Sequence, residues 1–147
     1  MNFFTKMILG AVAVLLAAVA AVLLFRSRDA ARVEELIRQA VGWAEAGEAK
    51  RVEELVDPDF ASGGWNAETA RAEIRRRVGP GKLAKLEAVS VEARIEGDEA
   101  RVTLVLKWPL RDASIKLEAV ERVEVRLRKR EGAWKVVGYE QSMGRGW

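Results

Sequence analysis

One carboxylate, Glu121, stands among Ala119, Val123 and Val125 on the apolar parity of an alternating run. Buried there, it would hold its proton more tightly than a solvated acid and act as a general base or receive a ligand's polar group. A bulge over Glu118–Arg122, or a strand end projecting past its cover, would instead turn it to water. Its customary helpers are scarce. The 147 residues include no histidine and no cysteine, which removes imidazole acid–base chemistry, thiol nucleophiles, disulfides and a lipid-modified cysteine. The single tyrosine, Tyr139, falls on the parity opposite Trp134 and Val136, so no phenol is expected to face Glu121 as an oxyanion donor. Asp57 and Asp59 flank Pro58 and either line a pocket mouth or, as their turn preference favours, close a helix. Gly79-Pro80-Gly81 lacks the length and the Lys-Ser/Thr ending of a phosphate loop, and no metal-ligand cluster or nucleophile triad is present, so no cofactor is expected.

The elements that must carry these side chains divide into two halves. Val33, Leu36, Ile37, Ala40, Val41 and Ala44 recur at helical spacing from a start at Ser27 or Asp29 to a stop at Gly47. Glu48–Val56 predicts a short second helix ended by Asp57-Pro58. After the Ser62-Gly63-Gly64 turn, Asn66 caps a third helix over Ala67–Val78, with Ala70, Ile74 and Val78 inward. From there the period drops to 2. Val89, Val91, Ala93 and Ile95 alternate with polar residues, Gly97-Asp98 turns, and Ala100, Val102, Leu104, Leu106 and Trp108 return before Pro109. A long strand over Ile115–Arg128 and a last one over Ala133–Gln141, joined by Glu131-Gly132, complete a four-stranded antiparallel sheet. Helices followed by strands predict an α+β domain over residues 29–142 with the helices on one face of a curved sheet.

Ahead of that domain, Met7–Phe25 is an uncharged apolar run, long enough at about 1.5 Å per residue to span roughly 28 Å of bilayer. Residues 1–28 therefore read as a single-pass membrane anchor, Ser27–Ala31 as its hinge, and 143–147, ending in Trp147, as a tail. The competing reading is a signal peptide cut after Ala18-Val19-Ala20, against which the apolar run continues to Phe25. Lys and Arg counts near each end favour a cytoplasmic domain, and the short leading tail permits the opposite. Charge is otherwise balanced, 25 basic against 22 acidic residues, which gives no support to a nucleic-acid partner. Arg75-Arg76-Arg77 reads as a solvated helix face, with phospholipid headgroups or an acidic partner as the alternative.

Three segments resemble the nuclear transport factor 2-like (SnoaL-like) superfamily, a cone-like, cystatin-like α+β fold. Ala40-Val41-Gly42-Trp43-Ala44-Glu45-Ala46-Gly47-Glu48 resembles the end of its first helix. Leu55-Val56-Asp57-Pro58-Asp59-Phe60 is similar to its short helix, acidic turn and Phe, and Leu127 to Glu140, with the run Gly132-Ala133-Trp134-Lys135-Val136-Val137, to its closing hairpin. The resemblance implies a pocket between the helices and the concave sheet face, for which Trp43, Phe60, Trp65, Trp108, Glu121 and Trp134 are the candidate lining residues. Trp65, just before the cap of the third helix, is either an exposed recognition residue or, as its place favours, a staple of that helix to the core. Members of the superfamily that use a His–acid pair have no counterpart here. The expectation is a membrane-held binding or assembly module, similar to the bitopic assembly proteins of type IV secretion, in a bacterial inner membrane with a homodimer or envelope-protein partner. Its alternative is an enzyme or carrier for a small hydrophobic or lipid-derived ligand, with Glu121 as acid or base.

Overall fold

The change of hydrophobic period near Gly79 separates a helical layer from a sheet, and the computed structural model, which describes residues 3–109 and 118–142, bears out that division. Side chains are described from residue 10 onward within this range, except 21–27 and 142, so Ile115, Leu117, Trp147 and both ends of the Met7–Phe25 run lie outside them. The helices are α1 (Phe3–Ala46), α2 (Ala49–Glu53) and α3 (Ala67–Arg77). A two-residue hairpin, β1 (Ala61–Ser62) and β2 (Trp65–Asn66), precedes α3; β3 (Glu87–Glu96), β4 (Glu99–Pro109), β5 (Glu118–Arg130) and β6 (Ala133–Ser142) form an antiparallel sheet in sequence order.

The predicted opening of the first helix at Ser27 or Asp29, and the hinge at Ser27–Ala31, are corrected. α1 runs through both without interruption. No Pro or Gly stands there, and once a helix is nucleated each further residue adds a hydrogen bond at low cost. Val33 and Ile37 of α1 are buried against Val91, Ala100, Val102 and Leu104 of the sheet. The Glu34 carboxylate accepts the Ala93 N–H at 3.1 Å, occupying a polar group of the edge strand β3. α1 stops at Gly47, whose φ of +79° suits glycine and whose absent side chain lets the Gly79-Pro80 backbone pack against it; an added Cβ would sit 2.6 Å from Gly79 C and Pro80 N. Among the described residues no helix is long and apolar enough to cross a membrane.

The second helix is shorter than Glu48–Val56 because Val56 leaves it to pair with Val136 of β6. The Asp57 N–H donates to the Val136 carbonyl at 2.9 Å, and the Val136 N–H donates to the Leu55 carbonyl at 2.7 Å. Ser62 continues this seam, its Oγ donating to the Tyr139 carbonyl at 2.7 Å and accepting the Tyr139 N–H at 3.2 Å. The free edge of β6 is thereby covered. Asn66 caps α3 as expected, in a capping box with Thr69. Two bulges break the alternation read from sequence. Val89 is the unpaired residue between Ala88 and Ser90 and is exposed, contrary to its predicted inward position. Val137 is the corresponding extra residue of β6.

Asp57 is fully buried, and its carboxylate takes two hydrogen bonds from Arg130, each 3.1 Å, plus the Asp59 N–H at 2.8 Å. Burial alone would raise its pKa, but the Asp59 N–H and the Arg130 guanidinium outweigh it and hold the acid below its ordinary value. Of the two readings of Asp57, the turn around Pro58 stands, with the Asp59 N–H on its carboxylate and the Phe60 N–H on its carbonyl, and the pocket mouth does not. A depressed folded-state pKa means this contribution is present above the unfolded value near about 4 and is lost as pH falls through the folded value. Asp57→Ala is expected to cost about 2–3 kcal/mol at pH 7, less than a fully enclosed pair because Arg130 stays half in water. Urea unfolding at pH 7 and pH 3 checks both points: the gap between wild type and variant should narrow in acid.

Candidate functional site

The register between β4 and β5 is unbroken from Glu99↔Arg128 to Pro109↔Glu118, so no bulge turns Glu121 away. Glu121 pairs with Leu106 and shares the inner face with Ala119, Val123 and Val125. It is half-buried there and accepts a hydrogen bond from Gln141 Nε2. Trp108, paired with Ala119, is its diagonal neighbour on the same face, a separation that aromatic side chains bridge.

Tyr139 is the larger correction. Strict alternation places it opposite Trp134 and Val136, but Val137 is the odd residue of the bulge, and beyond it the parity reverses. Tyr139 pairs with Val125, Gln141 with Val123, and both join the Glu121 face. Burial, then the Glu121 charge, push the phenol above its ordinary pKa, with Arg77 acting in the opposite sense. Arg77 is itself held at the end of α3 by Glu73, which also takes Arg76 and is drawn down to about 2 by the two guanidinium groups.

Among the described residues the far end of the concave face thus gathers Leu106, Trp108, Glu121, Tyr139 and Gln141. A half-buried carboxylate beside a phenol and an indole can hold a hydrogen-bond donor or a cation attached to an apolar body.

The other candidate lining residues do not converge there. Trp134 is buried in the main core with Lys129 Nζ 5.8 Å from its ring centroid. Phe60 is buried with Val56, Ala67 and Ala70 under α3. Trp43 is half-buried on α1, with the Arg51 guanidinium 5.7 Å from its ring centroid. Trp65 is 40% exposed on β2, so it does not staple α3 as expected; its strand position turns it outward. Arg75 pairs with Glu53 at 2.8 Å, and the basic run is a solvated, internally paired face as read. Gln141 and the true side of Tyr139 were missed. A bulge carries no fixed sequence mark, although the near-repeat Val136-Val137 ahead of Gly138 is where a register shift is sterically easy.

The opposite, outer face of the sheet is polar with cross-strand ion pairs, Arg101–Glu124 at 3.8 Å and Lys107–Glu118 at 3.0 Å. Arg126 lies over Gly138, where any Cβ would collide with its guanidinium, and its Nε is buried without a hydrogen-bond partner. Val120 on this face is 62% exposed.

No protein-family model matches the chain, and no curated protein matches it by sequence. Solved structures do. A nuclear transport factor 2-like protein of unknown function from Pseudomonas putida KT2440 superposes with a TM-score of 0.67 at 14% identity, over 79% of this chain and 87% of that one. The domain has a nuclear transport factor 2-like fold. The association domain of C. elegans CaMKII gives a TM-score of 0.65 at 15% identity, over 80% of this chain and 98% of that one. Bd1075 of Bdellovibrio bacteriovorus gives 0.59 at 12% identity over 76% of this chain, which spans only 40% of that protein. At these identities the likeness shows the nuclear transport factor 2-like fold alone, and the function of the domain has to be argued from its own residues.

With one tyrosine in the chain, the phenol can be titrated by ultraviolet absorbance without interference. Glu121→Gln is expected to lower its pKa toward the ordinary value, leaving the part caused by burial in place. An unchanged titration would show that Glu121 and Tyr139 do not share a face.

Proposed function

We propose that this protein is a single-pass, membrane-anchored binding or assembly module of a bacterial inner membrane, self-associating through the outer face of its sheet. The observation that carries the reading is the shaft of α1. Val14, Leu15 and Leu16 are 70%, 65% and 64% exposed, and Val12 and Val19 about half, at positions that run around the helix. A helix apolar on all sides needs a cover, and the run from Met7 to Phe25 matches the length that a bilayer covers. Self-association is supported by the exposed Val120, by the unpartnered Arg126 Nε, and by the likeness to a domain named for association.

Membrane fractionation of the full chain tests the anchor. Wild type is expected in the carbonate-resistant membrane pellet, and Leu15→Glu with Leu16→Glu in the supernatant. Sedimentation in detergent tests the oligomer, with Val120→Arg expected to weaken association by about tenfold, or roughly 1.4 kcal/mol. A wild-type chain that stays monomeric at high concentration removes the self-association and leaves the anchor standing.

A second reading is favoured by the bulge at Val137, which sets Tyr139 and Gln141 beside Glu121. In that reading the far end of the concave face holds a small hydrophobic ligand by one polar group. Loss of ligand-induced tryptophan fluorescence change in Glu121→Ala, with the fold intact, is the expected result.

A further inference from the structure

We infer that the two hairpin turns of the sheet, Gly97-Asp98 and Glu131-Gly132, lie in the phospholipid headgroup layer, while the Glu121 and Tyr139 end of the concave face is held away from it in water. This rests on the anchor reading and adds an orientation to it. The shaft and the domain share one helix, with no break from Phe3 to Ala46. That helix is locked to the sheet at successive heights: Asp29 meets Lys129 at 3.9 Å, Val33 and Ile37 are buried, and Glu34 takes the Ala93 N–H. The domain therefore cannot swing independently of the segment that enters the bilayer.

Asp29 stands four residues past Phe25, about 6 Å along the axis, and the headgroup region on each side is roughly 5–8 Å deep. A tilt of about 20° shortens that rise by less than about 1 Å. Lys129 is thus near the outer edge of the headgroups, and its N–H donates to the Asp98 carbonyl at 2.7 Å, tying the two turns together at that height. Both turns project beyond Lys129, on the membrane side. In the other direction, α1 moves from Lys129 at Asp29 to Ala93 at Glu34, which is level with Val102 and Val125. Continuing along β5 at about 3.3 Å per residue, Glu121 lies roughly 25 Å from Lys129.

The chemistry of the turn end fits a headgroup layer and not hydrocarbon. Arg28, Arg32 and Arg128 are exposed there beside Glu96, Asp98, Glu99 and Glu131, charges of both signs that match the phosphate and ammonium of phospholipid headgroups. No bulky apolar side chain stands at either turn. The consequence for function is directional: whatever occupies the Glu121 end arrives from the aqueous phase and is not drawn sideways out of the bilayer.

The absence of cysteine makes a site-labelled test direct. Asp98→Cys, in the turn just before β4, and Pro109→Cys, at its far end, are each labelled with a fluorophore in the full chain and reconstituted into phosphatidylcholine–phosphatidylglycerol vesicles. A nitroxide on the lipid headgroup is expected to quench the label at position 98 several-fold more than that at 109, and a nitroxide deep in the acyl chain to quench neither. Equal quenching at the two positions, or stronger quenching at 109, in vesicles that carry the protein overturns the orientation alone. A chain that fails to float with the vesicles overturns the anchor reading and the orientation with it. Inserting Gly-Ser-Gly between Arg28 and Asp29 is expected to erase the difference; a difference that survives the insert overturns the role given to the rigid helix.

Discussion

Asp57 exposes no surface to solvent, so its charge is sustained by Arg130 and the Asp59 N–H. The position of this pair explains why so much depends on it. Arg130 is the last residue of β5, and Asp57 is the point where the chain leaves α2 and turns at Pro58 toward α3. The ion pair therefore joins the helical layer to the sheet, and the Val56–Val136 and Ser62–Tyr139 contacts follow from the chain being held along β6. Arg71 of α3 adds to the seam by donating to the Val56 carbonyl at 3.1 Å. Without this clamp, α3 and the small cluster of Phe60, Ala67 and Ala70 would have little to pack against.

The seam on one edge of the sheet is matched by α1 on the other. Each engages backbone groups of an edge strand through a polar side chain, Ser62 on Tyr139 of β6 and Glu34 on the Ala93 N–H of β3. With its edges occupied, the sheet has its outer face left for a partner and the far end of its concave face for a ligand. These are the surfaces on which the two functional readings rest, and α1 runs unbroken from its apolar shaft into the domain that carries both.

Much of the architecture was legible along the chain because it rests on local physics. The helical spacing of Val33 and Ile37, the Asn66 cap, the Gly47 stop and the turns at Gly97-Asp98 and Glu131-Gly132 all rest on local geometry and residue preference. The parity of Glu121 was legible on the same ground, but only the register of β5 against β4 decided against the bulge that would have turned it to water. Tyr139 was not, because one extra residue at Val137 reverses everything beyond it, and a bulge exists only relative to the strand it pairs with. Asp57 was read as a turn residue; its burial depends on Arg130, 73 positions away.

By itself, the sequence determined the order of helices and strands, the apolar run that points to a membrane, and the absence of histidine and cysteine chemistry, since these follow from side-chain type and period. Only the tertiary structure decided which polar groups meet: that Asp57 is a buried clamp, that Tyr139 shares a face with Glu121, and that no hinge separates shaft from domain. The physical reason is that periodicity sets which way a side chain points from its own strand or helix, whereas register and packing set what it points at.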